Sequence, residues 1–165
     1  MDNSMWAELT DVFRKLNATY ESAIKLGERK HEALVMVNMD SLSKILDEEQ
    51  IMIAKIQRLE RQRGGILTKM AKDEPSITAE TKMEDFIKLA PNFAIERELR
   101  DLHKSLSERV AEAVRIRDNN QILAQGALDA VKYHLNRISG AAVEPTYSNK
   151  GGNFISHRKN FNYKA

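Results

Sequence analysis

The stretch that decides the fold runs from Asn92 to Ser139 and reads NFAIERELRDLHKSLSERVAEAVRIRDNNQILAQGALDAVKYHLNRIS. It follows Pro91, is rich in residues that favour helices, and carries a mainly apolar seam whose members are three or four residues apart, except for one gap of seven between Ala113 and Asn120. The seam comprises Ile95, Leu99, Leu102, Leu106, Val110, Ala113, Asn120, Leu123, Ala127, Val131, Leu135 and Ile138. This spacing predicts one long helix that stops at Gly140.

The length of this helix predicts an elongated molecule. Its 48 residues would extend for about 72 Å at about 1.5 Å per residue. A compact globule of 165 residues would measure only about 40 Å across. The fold is therefore expected to be a rod.

Two further seams precede the long helix. The first comprises Trp6, Leu9, Phe13, Leu16, Tyr20, Ala23, Gly27, Lys30, Leu34 and Val37, and the second comprises Leu42, Ile45, Glu49, Met52, Ile56, Leu59, Arg63, Ile66 and Met70. Between them, Asn38, Asp40 and Ser41 can accept hydrogen bonds from a new helix start, which predicts a tight helical hairpin. Gly64 and Gly65 each cost about 1 kcal/mol within a helix, so the second helix is expected to fray beyond Arg63.

The segment after Pro75 predicts a brief connecting helix, capped by Ser76 or Thr78 and containing Phe86, Ile87 and Leu89. The predicted fold class is all-α: an elongated antiparallel helical bundle or coiled coil of three long helices plus one short helix, with an extended C-terminal tail. The first two helices, at about 51 and 46 Å, would be shorter than the third by around 20 Å. An overhanging apolar seam would then be free to bind another helix.

Charge separates a helical domain, residues 1–140, from a tail, residues 141–165. The whole chain has 26 Lys and Arg against 24 Asp and Glu, a net charge of +2. The tail holds four basic residues and one acid, net +3, which leaves the rest of the chain at −1. It also holds Tyr147, Phe154, Phe161 and Tyr163. Because sequences that merely solvate avoid aromatics, the tail is predicted to carry short binding motifs.

Composition excludes several function classes. The chain has no cysteine, so disulfides, thiolate metal sites and cysteine nucleophiles are absent and a reducing cytosol is expected. No window approaches 18 consecutive apolar residues, and an acid stands where a signal peptide would need a basic region. We therefore expect a soluble cytoplasmic protein without membrane insertion. Four cations in the tail would give few phosphate contacts, so no nucleic-acid partner is expected.

No arrangement of residues predicts catalysis or a cofactor. Glu28 and His31 form one Glu-x-x-His, the half-motif of a di-iron bundle, but the second copy that such a site needs does not occur. The simpler interpretation is a solvated helix face. We expect no catalytic residue, no metal and no cofactor, and hence no enzyme.

Polar residues interrupt the seams and leave two interpretations open. Glu49, Arg63 and Asn120 either set the register of the helices or contact a partner. The seven methionines, all in the first half of the chain, either fill gaps in a core or form a surface that adapts to partner helices.

Motifs spread along the chain resemble those of the FlgN-type flagellar export chaperones. In the second helix these are Glu49-Gln50, then Leu59-Glu60 and Arg63, and in the last helix Asn120, Gln121 and Leu123. The tail adds Thr146-Tyr147, Gly151 and Ile155-Ser156-His157-Arg158. Their order along the chain matches that of the family, and the resemblance extends over nearly the whole chain.

The resemblance implies a cytoplasmic bacterial chaperone of flagellar type III secretion. Such a chaperone binds the terminal helical segment of the hook-associated (hook–filament junction) proteins, prevents premature assembly and delivers them to the export gate. It implies docking to the cytoplasmic domain of the gate through Tyr147, Ser156, His157 and Arg158, with the export ATPase as a further partner.

The predicted overhang suggests where a cargo helix would bind. Leu123, Ala127, Val131 and Leu135 offer small and medium apolar groups on one seam, which suits a helix-in-groove contact. The alternative function is a structural coiled-coil protein that only self-associates and has no export role.

Overall fold

Three long helices and one short helix make up the described part of the protein. The structure is a computed structural model that describes residues 3–74, 77–78 and 81–139. Helix α1 spans Asn3–Val35, α2 spans Met39–Asp73, α3 spans Met83–Ile87 and α4 spans Phe93–Ile138. Helices account for 89% of the described residues, which include no strand. The predicted all-α class is confirmed, whereas the stop at Gly140 and the tail lie outside the described residues.

Polar side chains cap the first turns of α2 and α4. Both helices begin where the sequence predicts a helix start. Asn38 precedes α2, and its side-chain oxygen accepts a hydrogen bond from the Ser41 amide at 3.0 Å. Asn92 precedes α4, and its Oδ1 accepts from the Ile95 amide at 3.0 Å. Each bond satisfies one amide that the first helical turn leaves without a partner.

The prediction that Thr78 caps α3 is wrong. The α3 helix begins after Lys82, whose side chain makes no capping bond. The Thr78 amide instead donates to the Thr81 Oγ1 at 2.9 Å, which stabilises a local turn ahead of the helix. Ser76, the other expected cap, lies outside the described residues.

The prediction that α2 frays beyond Arg63 is also wrong. The helix continues through Gly64 and Gly65 to Asp73. Beyond the two glycines, Ile66 and Met70 are buried in the core. Full burial of an apolar side chain of this size contributes about 1.5–3 kcal/mol, which exceeds the cost of about 1 kcal/mol for each glycine.

The described residues divide into two units, one before and one after the boundary between residues 121 and 122, so α4 contributes to both. The predicted division between residues 140 and 141 remains a prediction.

Within the first unit, α1 and α2 run antiparallel. Near the hairpin, Arg29 on α1 forms a bidentate pair with Glu48 on α2. This hydrogen bond lowers the pKa of Glu48 from its ordinary value. Toward the other end of the helices, the Arg63 guanidinium of α2 lies 5.9 Å from the ring centre of Phe13 on α1. Residue numbers therefore rise along one helix as they fall along the other.

The part of α4 in the first unit runs parallel to α1. The Asn17 Nδ2 donates to the Leu102 carbonyl at 3.0 Å, and the Arg109 guanidinium donates to the Asn17 carbonyl at 2.8 Å. Further along both helices, the Asn120 Nδ2 donates to the Gly27 carbonyl at 2.8 Å. Each of these bonds joins a side chain on one helix to a backbone carbonyl on the other.

The core of the first unit combines residues from all four helices. The main cluster comprises Trp6, Leu9, Val12, Phe13, Leu16, Leu59, Ile66, Met70, Phe86, Ile87, Leu99 and Leu106. The short helix α3 closes it, since the Trp6 and Phe86 rings lie 5.3 Å apart between centres. A smaller cluster of Leu26, Ala33 and Ile45 joins α1 to α2 toward the hairpin.

The polar residues in the seams find partners within the chain. Glu49 pairs with Lys30 on α1 at 2.7 Å. Arg63 pairs with Glu60 one turn earlier on its own helix at 2.8 Å. Asn120 is buried and its Oδ1 lies 3.1 Å from the His31 Nδ1. The contacts of Glu49 and Asn120 join two helices and favour the interpretation that these residues set the register of the bundle, whereas the Arg63–Glu60 pair lies within α2 and does not bear on it.

Close packing at Gly27 leads to a testable prediction. A Cβ at Gly27 would lie 2.7 Å from the Ile116 Cγ2, whereas a Cβ at Gly65 would meet nothing within 4 Å. We expect Gly27→Ala to lower the free energy of unfolding by about 1–3 kcal/mol through overpacking. Gly65→Ala should raise it by about 1 kcal/mol, because alanine favours the helix.

Urea denaturation followed by circular dichroism measures both effects. Adding Ile116→Ala to Gly27→Ala should reduce the overpacking cost, which a double-mutant cycle would detect. If Gly27→Ala stabilised the protein as much as Gly65→Ala does, α1 and α4 would not approach each other as closely as described.

Candidate partner-binding surface

The described residues of the second unit expose every side chain. Residues 122–139 belong to this unit, and all of them are exposed. Their large apolar members are Ile122, Leu123, Leu128, Val131, Tyr133, Leu135 and Ile138. Five of them, Leu123, Leu128, Val131, Leu135 and Ile138, fall on one side of the helix, and contiguous apolar surface of this kind typically marks a site of interaction with another chain.

The four predicted cargo-binding residues share one face of α4. Leu123, Ala127, Val131 and Leu135 are spaced by four, so each is rotated by about 40° from the one before, and together they cover about 120° of the helix. Leu123 is 37% exposed, Val131 54% and Leu135 59%. The structure thus brings the four together and leaves them accessible, and their role in binding cargo stays a prediction.

Sequence reasoning missed two members of this face. Ala124 and Leu128 lie on the same side of α4 as Val131 and Leu135, because Ala124 precedes Val131 by seven residues and Leu128 precedes Val131 and Leu135 by three and seven. Both are exposed. A coiled-coil seam includes one residue at each step of three or four. A broader apolar face also includes residues beside that seam, and a seam pattern does not select them. The spacing of Leu128 from Val131 and Leu135 was the signal available. We call the face formed by 123, 124, 127, 128, 131 and 135 the α4 face.

The opposite side of the same segment is polar. Gln125, Asp129, Lys132 and Asn136 follow one another at gaps of three and four. The Gln125 Nε2 donates to the Asp129 Oδ1 at 2.9 Å. This segment is therefore amphipathic, with a broad apolar face and a solvated back.

An aromatic and cationic group lies on a third side of the segment. The Tyr133 and His134 rings meet edge to face with centres 5.6 Å apart. The Arg137 guanidinium lies 6.0 Å from the Tyr133 ring centre. These groups can contribute stacking and positive charge at the margin of an interface.

The structure gives Glu28 and His31 no metal site. His31 instead contacts Asn120, as described above. Across the described part of the chain, no three His, Asp or Glu side chains are grouped so that they could hold a metal ion. The predicted gate-docking residues Tyr147, Ser156, His157 and Arg158 lie outside the described residues.

The fold and this surface define a class of protein, an all-helical bundle with an exposed amphipathic helix face suited to binding another chain. A family model identifies the family: the FlgN protein model matches residues 5–153, so the chain belongs to the FlgN family. FlgN is a family of flagellar export chaperones and not of enzymes. The chain has no significant match among curated proteins or solved structures. Of the helices described, none is long and apolar enough to span a bilayer.

Proposed function

We propose that this protein is a cytoplasmic bacterial chaperone of flagellar type III export. It binds the terminal helical segment of the hook-associated (hook–filament junction) proteins, prevents their premature assembly and delivers them to the export gate. It acts by binding, without a cofactor and without catalysis. The observation that carries the proposal is the exposed α4 face in a chain that belongs to the FlgN family.

The chemistry of the α4 face suits a helical cargo. Ala124 and Ala127 are small, so the backbone of a cargo helix can approach closely between the larger Leu123, Leu128 and Val131. A cargo helix would place its own apolar residues at gaps of three and four against this face. Protecting those residues would prevent the cargo from associating with other subunits before export.

The same face suits release of the cargo. Its side chains are medium-sized and already partly covered by their own helix, so each contributes less than the full burial of about 1.5–3 kcal/mol. Association also costs translational and side-chain freedom. We expect binding of moderate affinity that the export apparatus can reverse.

Delivery is assigned to the basic, aromatic tail. By resemblance to the family, Tyr147 with Ser156, His157 and Arg158 contacts the cytoplasmic domain of the export gate, and the export ATPase is a further partner. This division places cargo and gate contacts in different parts of the sequence, so the two activities should be separable by mutation.

The test is co-purification from a flagellated host, with bound chains identified by mass spectrometry. We expect Tyr147→Ala and a deletion of residues 141–165 each to reduce the amount of co-purified gate domain by about tenfold or more, which is typical of the loss of a central aromatic contact. The amount of co-purified hook-associated proteins should not change. Tyr163→Ala, an aromatic change elsewhere in the tail, is the matched control and should retain both. Recovery of self-associated chains alone, unchanged by the deletion, would instead support the structural coiled-coil function.

A further inference from the structure

The hairpin between α1 and α2 carries a second exposed apolar surface, which belongs to the first unit. Val35, Met36, Val37 and Met39 stand within five residues around the turn. Met36 is 77% exposed and Val37 74%. Four large apolar side chains exposed together at a turn form a surface that a solvated loop does not need. We call these four residues the hairpin-tip surface.

A line of apolar residues extends this surface along α2. Met39, Leu46 and Ile53 are each seven residues apart, so they lie almost directly above one another on the helix. All three are exposed. The line is about 21 Å long at about 1.5 Å per residue. It therefore matches an amphipathic helix of about four turns laid alongside α2.

The methionines divide between the two uses that the sequence left open. Met70 is fully buried, and Met5, Met52 and Met83 pack against the core clusters. By contrast, the side chains of Met36 and Met39 lie at the tip and are exposed. Flexible thioethers at an exposed position can adapt to the side chains of a partner helix.

The backbone of the turn is held in an unusual conformation. Val37 has a φ angle of 52°, which is a rare conformation for a β-branched residue. The Asn38 amide donates to the Ala33 carbonyl at 2.9 Å and the Leu42 amide donates to the Asn38 carbonyl at 3.0 Å. These bonds fix the turn, so the apolar side chains at the tip are presented by a defined structure.

Two acids near the hairpin are already neutralised within the bundle. Glu48 pairs with Arg29, and Glu49 pairs with Lys30, both at 2.7 Å. These four residues bridge α1 and α2 and are not available to a partner without breaking a pair.

The remaining charges around the tip are mostly negative. Among the described residues, Glu32, Asp40 and Asp47 make no ion pair, and Lys44 is the single unpaired base between Asp40 and Asp47. Consecutive helix residues are about 100° apart, so Asp40 and Asp47 follow one flank of the apolar line beside Met39 and Leu46. On the same flank, Lys44 lies between the two acids and Lys55 lies beyond Ile53, so the excess of negative charge is at the hairpin end of the line. The border of the surface is therefore complementary to positive charge.

We propose that the hairpin-tip surface and the line Met39–Leu46–Ile53 bind an amphipathic helix of a second protein whose apolar face is flanked by lysine and arginine. A second copy of this chain fits less well, because a symmetric contact would bring the same acids face to face. An anionic membrane is disfavoured for the same electrostatic reason. This partner is additional to the cargo proposed for the α4 face.

The test uses two synthetic amphipathic peptides with one identical leucine face, flanked by lysines in one and by glutamates in the other. Each is titrated into the full chain and followed by fluorescence anisotropy. We expect the lysine-flanked peptide to bind at least about tenfold more tightly at low salt, and the difference to shrink as salt screens the charges.

Variants then locate the binding. The double variant Met36→Ser, Met39→Ser should lower the affinity for the lysine-flanked peptide by about tenfold or more, because apolar contacts are lost. Asp40→Asn with Asp47→Asn should reduce the preference between the peptides to about threefold or less. Leu89→Ser with Phe93→Ser, at exposed apolar positions outside both surfaces, is the matched control and should bind as the unaltered protein does. Leu123→Ser with Val131→Ser is the α4-face variant, which reports any binding of the peptide to that face. Circular dichroism verifies that each variant is folded.

Five outcomes would overturn the proposal. Four are equal binding of both peptides, absence of binding to either, loss of binding in the α4-face variant but not in the methionine variant, and a dimer in light scattering that the methionine variant abolishes. The fifth is binding of the unaltered chain to anionic vesicles that the methionine variant removes, which would assign the surface to a membrane instead. Because the proposed export function is tested with cargo and gate proteins, failure here leaves it to its own test.

Discussion

Replacing Val131 by aspartate is expected to weaken binding of a hook-associated protein's terminal helix by about 100-fold or more. Val131 lies in the α4 face and is 54% exposed, so the change puts no charge into a core. In a complex, the carboxylate would be buried against an apolar cargo helix without a partner, and burying an unpaired charge costs several kcal/mol. Isothermal titration of the purified chain with the cargo's terminal segment measures the loss.

The matched control is Asn136→Asp. It adds the same charge to the same segment of α4, on the polar side and at an exposed position. Binding should change by about threefold or less, since rim charges contribute little to affinity. Equal losses in the two variants would mean that cargo does not distinguish the faces, and the assignment to the α4 face would then be wrong.

Replacing Phe13 by alanine is expected to lower the free energy of unfolding by about 3–5 kcal/mol. Phe13 is 0% exposed in the main core cluster. Its ring also lies beneath the Arg63 guanidinium and meets the His103 ring edge to face, with ring centres 6.2 Å apart. Since domains are typically stable by about 5–15 kcal/mol, this one change removes a large share. Urea denaturation measures it.

Phe93→Ala provides the comparison for Phe13→Ala. Phe93 begins α4 and is 71% exposed, so the same truncation should change stability by about 0.5 kcal/mol or less. A similar loss in both variants would indicate that the core does not centre on α1. If Phe13→Ala proves insoluble, Phe13→Leu keeps most of the volume and should lose less.

Much of the secondary structure follows from local patterns. The hairpin at Asn38 was predicted because a short polar side chain can bond to the free amides of the next turn, and this bond occurs. The start of α4 was predicted from Pro91 and the seam that follows it, and the structure adds a capping bond to the Asn92 side chain. The short helix with Phe86 and Ile87 was also predicted, and it closes the core. Each of these features depends on residues only a few positions apart.

Predictions that depended on distant residues were less successful. Fraying of α2 was expected because two glycines weaken the helix. The burial of Ile66 and Met70, which offsets this cost, depends on other helices and is not visible in the local sequence. The partners of Glu49 and Asn120 could not be named, since Lys30 and His31 meet them only across the hairpin or along α4. A seam shows which side of a helix is apolar and does not show which other helix covers it.

The candidate site was also only partly predictable from the sequence. Four members of the α4 face were predicted from their spacing. Ala124 and Leu128 were identified only from the structure, in which the whole segment is exposed. The hairpin-tip surface could not be recognised in the sequence, because Met36 and Met39 resemble the methionines that fill the core. Exposure of these side chains results from which neighbours the fold supplies.

The sequence by itself determined the helical class, the starts of α2 and α4, the amphipathic pattern and membership of the FlgN family, since each depends on the order of neighbouring residues. The tertiary structure alone decided that α4 runs parallel to α1, that Asn120 bonds to Gly27, and which apolar residues stay exposed. The physical reason is that helix formation follows local backbone geometry, whereas burial depends on long-range packing that a repeated pattern of apolar residues leaves open.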